Sequence, residues 1–340
     1  MQTNTVTIGK VSQVAGVSKT TISRYLNGKY EHMSEKTRTR IEAVIKELDY
    51  RPSPVARGLK SHKSGLIGVI VSDITNPVTA QLIKGIMDCA TAEGYQVIAA
   101  SSDENPVKER EYIQSMTDRQ VEGLIMVVAD YNQTELLESL AVKGVPIVLA
   151  DRPINRPVFD TVTTDNYSMT QQAVKTLYSM GYEAVALFSS DLLKSNVRKA
   201  RHDAFIAASR EYVQNPEDLV YVISQGVENG YRQSVDVFLG KSFGKKIAAF
   251  ASTPMAMLGL LGAAHELGLR IPEDLGVMGF DNFHWTRLIS GGITVIDQPF
   301  YEVGVESASL LIERIKNELM GEPKYIELKS KLILRKSTSI

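Results

Sequence analysis

Cysteine is all but missing from this chain: Cys89 is the only one among 340 residues, so no intrachain disulfide can form. Its neighbours Ile86, Met87 and Ala90 on a predicted helix make it a packed thiol with no redox role. Histidine is sparse, and His32, His62, His202, His265 and His284 fall at no metal-ligand spacing. Glycine-rich phosphate turns are absent too, since Val71 runs into Ser72-Asp73-Ile74-Thr75-Asn76-Pro77. Gly240-Lys241-Ser242 resembles the end of a Walker loop, but the upstream glycine it needs falls at Val235. No Gly-x-Ser-x-Gly nucleophile elbow occurs. A nucleotide-dependent dehydrogenase or kinase, the main alternative on an α/β chain, therefore lacks its signatures, and neither cofactor nor metal is expected. No apolar run reaches the eighteen or so residues of a membrane span, and no signal-peptide core precedes the first helices. A cytoplasmic location is expected, which disfavours an exported sugar receptor.

What is present is unevenly distributed. Residues 1–60 hold eleven lysines and arginines against five acids, a formal charge of +6, whereas the whole chain carries −1 and the remainder therefore −7. A basic head on an acidic body puts an anion-binding surface at the N-terminus. Within that head, Thr7 to Gly28 reads as two short amphipathic helices joined at Gly16. Ile8, Val11, Val14 and Ala15 are expected to face inward from the first, and Ile22, Tyr25 and Leu26 from the second. Ser18 is placed to cap the second helix. Lys19, Thr20, Ser23, Arg24 and Asn27 then face outward, a polar surface without acid that suits phosphates and base edges. A third helix, capped by Ser34, buries Ile41, Val44, Ile45 and Leu48. After Tyr50, Arg51-Pro52-Ser53-Pro54 stops helix formation. Val55 to Lys60 is too short to persist as a helix alone. On DNA it could fold, with Val55, Ala56 and Leu59 as an apolar edge for the minor groove and Arg57 and Lys60 reaching phosphates.

These motifs resemble the LacI family of bacterial transcriptional regulators, over essentially the whole chain. The resemblance rests on Val14-Ala15-Gly16-Val17-Ser18 with Thr21-Ile22-Ser23-Arg24-Tyr25-Leu26-Asn27, and on Tyr50-Arg51-Pro52 with Val55-Ala56-Arg57-Gly58-Leu59. It implies that Lys19, Thr20 and Arg24 read bases and that Ala56 and Leu59 enter the minor groove. Thr7, Ser18 and Thr21 complete the expected DNA contacts with Ser23, Asn27, Arg57 and Lys60. Gly58 stands where a small polar residue is more usual in the family.

From Leu66 onward, apolar runs alternate with amphipathic segments, as parallel strands linked by helices do. Candidate strands are 66–71, 95–100, 123–128 and 145–150, then 184–188, 219–223, 247–250 and 275–279, with helices including 79–91, 168–180, 201–210 and 255–267. The expected fold is an all-α helix-turn-helix headpiece (1–50), a hinge (51–63) and an α/β periplasmic-binding-protein-like body (64–340). That body divides into two Rossmann-like lobes with parallel sheets. The resemblance implies that strand 293–297 and helix 302–320 return to the first lobe, giving lobe 1 as about 64–162 and 294–325 and lobe 2 as about 163–293 and 326–340.

Ligands of open α/β sheets bind at strand carboxyl ends. There lie Ser72 to Asn76, Asp151-Arg152, Asp165, Arg198 to Arg201 and Asp281-Asn282. The resemblance matches Arg201, Asp281, Asp165 and Asn76 to effector-contacting positions. Val78-Thr79 and Thr253-Pro254 depart from the family's aromatic and Asn-Asp patterns, and Gln225 takes the aromatic stacking position. A flat base is therefore disfavoured, while Arg152, Arg198, Lys199 and Arg201 suit a sugar acid or sugar phosphate. The expected protein is a homodimeric repressor of a carbohydrate-utilisation operon on a pseudo-palindromic operator; an activator or corepressor-dependent regulator of the same family stays open. No leucine-heptad tail follows 331–334, so a dimer rather than a tetramer is expected.

Overall fold

The computed structural model describes residues 6–50, 64–131, 135–192, 195–223, 230–289 and 291–339. They fall into two compact units, Met1–Ser64 and Gly65–Ile340. In the first, helices α1 (Ile8–Ala15), α2 (Lys19–Leu26) and α3 (Glu35–Glu47) close on Val11, Ala15, Ile22, Ile41 and Val44, all 7% exposed or less. Ser18 and Ser34 accept from the backbone N–H of Thr21 and Thr37, and Gly16 ends α1 at φ +61°, a left-handed turn that costs glycine nothing. Val14 is 44% exposed, against expectation. It is one residue before Ala15, about 100° around the helix, and the contact stripe is only wide enough for Val11 and Ala15. The expected hinge, with Ala56, Arg57, Leu59 and Lys60, lies outside the described residues.

The second unit holds two six-stranded sheets of matching topology. Lobe 1 contains β1 (Leu66–Val71), α4 (Pro77–Ala92), β2 (Gln96–Ser101), α5 (Pro106–Asp118), β3 (Gly123–Met126), α6 (Glu135–Val142), β4 (Ile147–Ala150) and β5 (Asp160–Thr164). Lobe 2 contains α7 (Asn166–Ser179), β6 (Ala184–Ser189), α8 (Asn196–Ser209), β7 (Val220–Val222), α9 (Gly230–Lys241), β8 (Ile247–Ala251), α10 (Pro254–Glu266), β9 (Gly276–Phe280) and β10 (Thr294–Asp297). Then α11 (Phe300–Ile315) and β11 (Tyr325–Leu328) return to lobe 1, and β12 (Lys331–Ile333) ends in lobe 2. The orders are β11-β5-β4-β3-β1-β2 and β12-β10-β9-β8-β6-β7, doubly wound, with only β12 antiparallel. Asn76, Asn105 and Thr253 each cap a helix that begins with proline, whose missing N–H is no loss there.

Two expectations about the lobes are corrected. Strand Thr294–Asp297 belongs to lobe 2, paired parallel with β9 (Val295↔Gly279) and antiparallel with β12. Strand Tyr325–Leu328, placed with lobe 2 by the sequence reading, runs parallel to β5 in lobe 1. Apolar alternation marks a strand but does not name its partner. Strand β5 went unseen because Asp-Thr-Val-Thr-Thr reads as polar. All five residues are buried, with the hydroxyls of Thr161, Thr163 and Thr164 bonded to Phe159 O, Asp151 O and Gln298 Oε1. Helix α11 does pack in lobe 1, where it lies directly on α4. A Cβ at Gly85 would come within 2.1 Å of Tyr301 O, and one at Gly304 within 2.2 Å of Leu82 O.

Candidate functional site

The headpiece carries one candidate surface. Lys19, Thr20, Arg24 and Asn27 of α2 and its C-cap are exposed, Thr21 and Ser23 are half-buried, and no acid lies in the first turn of α2. Some of the expected contacts are partly committed within the fold. Thr7 accepts from Lys10 N at 3.3 Å to cap α1, the hydroxyls of Ser18 and Thr21 meet at 2.9 Å, and Asn27 donates to Ser23 O at 2.7 Å. The side chains of Lys19 and Thr20 at the helix start, where free backbone donors suit a phosphate, and of Arg24 in the last turn stand exposed and free of such capping duties.

The body carries the other, a cleft partly open to solvent between the carboxyl ends of the two sheets, enclosing about 790 Å³ of atom-free space when its open mouth is included. The duplicated topology shows in it. Asp151 follows β4 at φ +64° and Asp281 follows β9 at φ +76°, each held left-handed while its N–H reaches the next strand, at Val162 O and Ile296 O. Each lobe thus spends backbone strain to aim one carboxylate into the cleft. Between them lies Arg201, 4% exposed, with its guanidinium 3.5 Å above the Phe280 ring. It donates to Asn166 Oδ1 at 2.8 Å, Ser252 O at 2.5 Å and Gln298 Oε1 at 3.0 Å. Gln298 donates in turn to Asp281 Oδ1 at 2.7 Å.

Burial dominates the electrostatics. It pushes the Asp281 carboxyl up to about 6 although Arg201 and the Gln298 bond pull the other way, and it lowers Arg201 to about 10. Asp151 is also raised by burial, against Arg152, and its Oδ1 has no hydrogen-bond partner among the described residues. That oxygen is a buried acceptor whose hydrogen-bonding capacity is left unused by the described residues. Nearer the rim, Glu104 Oε1 accepts from Arg152 Nη2 at 2.9 Å and from Arg198 Nη2 at 2.7 Å. Burial opposes ionisation of Glu104, but the two guanidiniums outweigh it and hold its carboxyl below the ordinary range.

Of the expected effector residues, Asn76, Arg152, Arg198, Arg201 and Asp281 line this cavity. Asp165 does not: it sits at the start of α7, accepting from Ser330 N at 2.9 Å with Lys329 Nζ at 3.7 Å, and fastens one chain crossing to another. Gln225 lies outside the described residues. Sequence reasoning missed Glu104, Gln298 and Phe300. Glu104 follows the carboxyl end of β2, so the same strand-end rule could have found it; Gln298 was hidden because its strand had been assigned to the other lobe. Among the described residues no cluster of His, Cys, Asp or Glu is placed to hold a metal ion, and no helix is long and apolar enough to cross a membrane.

Comparison with known proteins agrees with this division. Residues 7–53 match the family of bacterial regulatory proteins of the lacI type, and residues 64–333 match the family of periplasmic binding proteins and the sugar binding domain of the LacI family. The chain is 37% identical to the HTH-type transcriptional regulator KdgR of Bacillus subtilis (strain 168), covering 98% of both chains. It is 32% identical to the ribose operon repressor of Halalkalibacterium halodurans, covering 98% of this chain and 97% of that one. The lac repressor dimer bound to operator and the anti-inducer ONPF superposes with a TM-score of 0.83 at 25% identity, over 98% of this chain and 99% of that chain. The chain therefore belongs to the LacI family and is a DNA-binding transcriptional regulator, not an enzyme.

Proposed function

We propose that this regulator is a cytoplasmic repressor of a carbohydrate-utilisation operon. It binds a pseudo-palindromic operator as a homodimer, with Lys19, Thr20 and Arg24 at base edges and Thr7, Ser18, Thr21, Ser23 and Asn27 positioning the backbone. Ala56, Arg57, Leu59 and Lys60 serve the hinge. Its effector is a small hydroxylated acid, a sugar acid or sugar phosphate, held by Arg152, Arg198 and Arg201 with Asn76, Gln225, Asp151 and Asp281 at its hydroxyls. The observation that carries this reading is the convergence of three guanidiniums on one cleft beside an unpartnered carboxylate oxygen. Arginine forks match carboxylate and phosphate groups, and aspartates accept from vicinal hydroxyls. The ribose operon repressor among its relatives supports sugar control and repression.

The test is operator footprinting with a panel of aldonates, uronates, sugar phosphates and the neutral parent sugars. Release or strengthening of the footprint by an acidic member alone supports the reading. A response confined to neutral sugars overturns the effector class, and a protein that protects no operator overturns the rest.

A further inference from the structure

Three arginines line the cleft, yet the same cleft holds Asp73, Glu104, Asp151 and Asp281, so the positive charge of the arginines is more than matched before any ligand arrives. Asp151 and Asp281 are fixed at strand ends by backbone bonds into the neighbouring strand. The backbone of Glu104 is fixed too, its N–H donating to Ser72 O at 2.7 Å, so only its side chain is free to leave. The residue sits past the end of β2 on a turn in which Asp103 and Glu104 are both left-handed, at φ +53° and +54°, a conformation that non-glycine residues avoid. One of its oxygens takes a guanidinium from each lobe: Arg152 from lobe 1 and Arg198, on α8, from lobe 2. All three side chains are largely shielded, at 9%, 13% and 14% exposure for Arg152, Arg198 and Glu104. A carboxylate accepting from two convergent arginines across a ligand cleft is the arrangement an acidic ligand would make for itself.

Building on the reading above, we infer that Glu104 is an internal stand-in for the ligand's anionic group. It occupies the anion position between Arg152 and Arg198 until an acidic effector displaces it. The swap exchanges one carboxylate for another on the same two donors, so the arginines are never left buried without a partner. The effector must outcompete a tethered carboxylate, which sets a floor against weak or singly anchored anions. It also makes Glu104 a determinant of specificity: a ligand with hydroxyls for Asp151 and Asp281 has the additional contacts to win, whereas a bare anion has none.

Titration calorimetry on the full-length protein tests this with three probes: D-gluconate, its neutral counterpart D-glucitol, and inorganic phosphate. Glu104→Gln removes the competing charge. It is expected to bind gluconate, phosphate or both at least tenfold more tightly than the unaltered protein, with glucitol unchanged. Glu104→Asp, which keeps the charge but shortens its reach, should gain in the same direction by less and serves should the glutamine variant misfold. Unchanged or weakened binding of both anions by the variants overturns the inference. Phosphate gain in the variants without gluconate binding by any form supports the stand-in and sinks the gluconate-like effector. Tight gluconate binding by the unaltered protein with no change in the variants does the reverse.

Discussion

The headpiece and the cleft present their functional groups in opposite ways. Lys19, Thr20 and Arg24 stand in water on a unit whose core is a few small side chains, whereas Arg201, Asp281 and Glu104 are shielded, each hydrogen-bonded to neighbouring cleft side chains, and shifted in pKa. A surface that reads a polyanion gains its affinity from charges that are already hydrated and cheap to keep exposed. A cleft that must discriminate among small sugars uses buried donors and acceptors, because an unmatched partner there costs far more than one in water. Packing should therefore limit the first region, and electrostatics the second.

The largest expected effect tests the headpiece. Ile22→Ala removes a fully buried side chain at a cost of about 2–5 kcal/mol, comparable with all that so small a unit holds. Amide exchange should show 6–50 unprotected and operator binding lost, while the body's melting transition stays put. A headpiece that keeps its protection would break the contrast.

Next in size is the cleft. Asp281→Ala should abolish the effector response while leaving effector-free operator binding near normal, followed by footprinting and by Trp285 fluorescence. The charge itself is isolated by Asp281→Asn. Because burial raises the folded carboxyl to about 6 from 3.8, the native state holds its proton longer than the unfolded chain does. The stability penalty of ionising it grows as pH rises through that window and is complete above it. Asparagine should thus stabilise the body by about 1–3 kcal/mol at pH 7.5 and by almost nothing near pH 4. Equal gains at both pH values in thermal melts would show that packing, not charge, governs this site too.

Arg24→Ala should cost about 1–3 kcal/mol of operator affinity with little loss on random DNA, measured by competition gel shift. Equal losses on both would reduce Arg24 to a phosphate contact. The smallest expected effect is a control: Lys175→Ala breaks an exposed pair with Glu211 and should leave the melting temperature where it was.

The legibility of the sequence follows the same division. Helices α1 to α3 and their Ser18 and Ser34 caps were readable because local chemistry decides them. Strand β1 was placed to the residue and β6 to within one, since fully buried parallel strands are written as unbroken apolar runs. Legibility failed where partners are distant. Threonine-rich β5 depends on hydroxyl bonds to groups as far off as Gln298, and β10 reveals its lobe only through pairing with β9. In the cleft, the strand-end rule found Arg152, Arg201 and Asp281 but misjudged Asp165, whose carboxylate is claimed by Ser330. Glu104 matters through two arginines far from it in sequence, which no local pattern encodes.

The interleaving of the lobes has a consequence for how the chain is made. Lobe 1 is built through Thr164, yet α11, which covers its β3, β4 and β5, begins only at Phe300. At bacterial translation speeds that gap is on the order of ten seconds, during which an apolar sheet face waits on the ribosome without its cover. The close seat for that helix, Gly85 against Gly304, joins residues from opposite ends of the body. A stop codon after Asp297 would therefore spare most of the second sheet and cripple the first. A nascent chain of this kind should lean on chaperones until its last forty or so residues emerge.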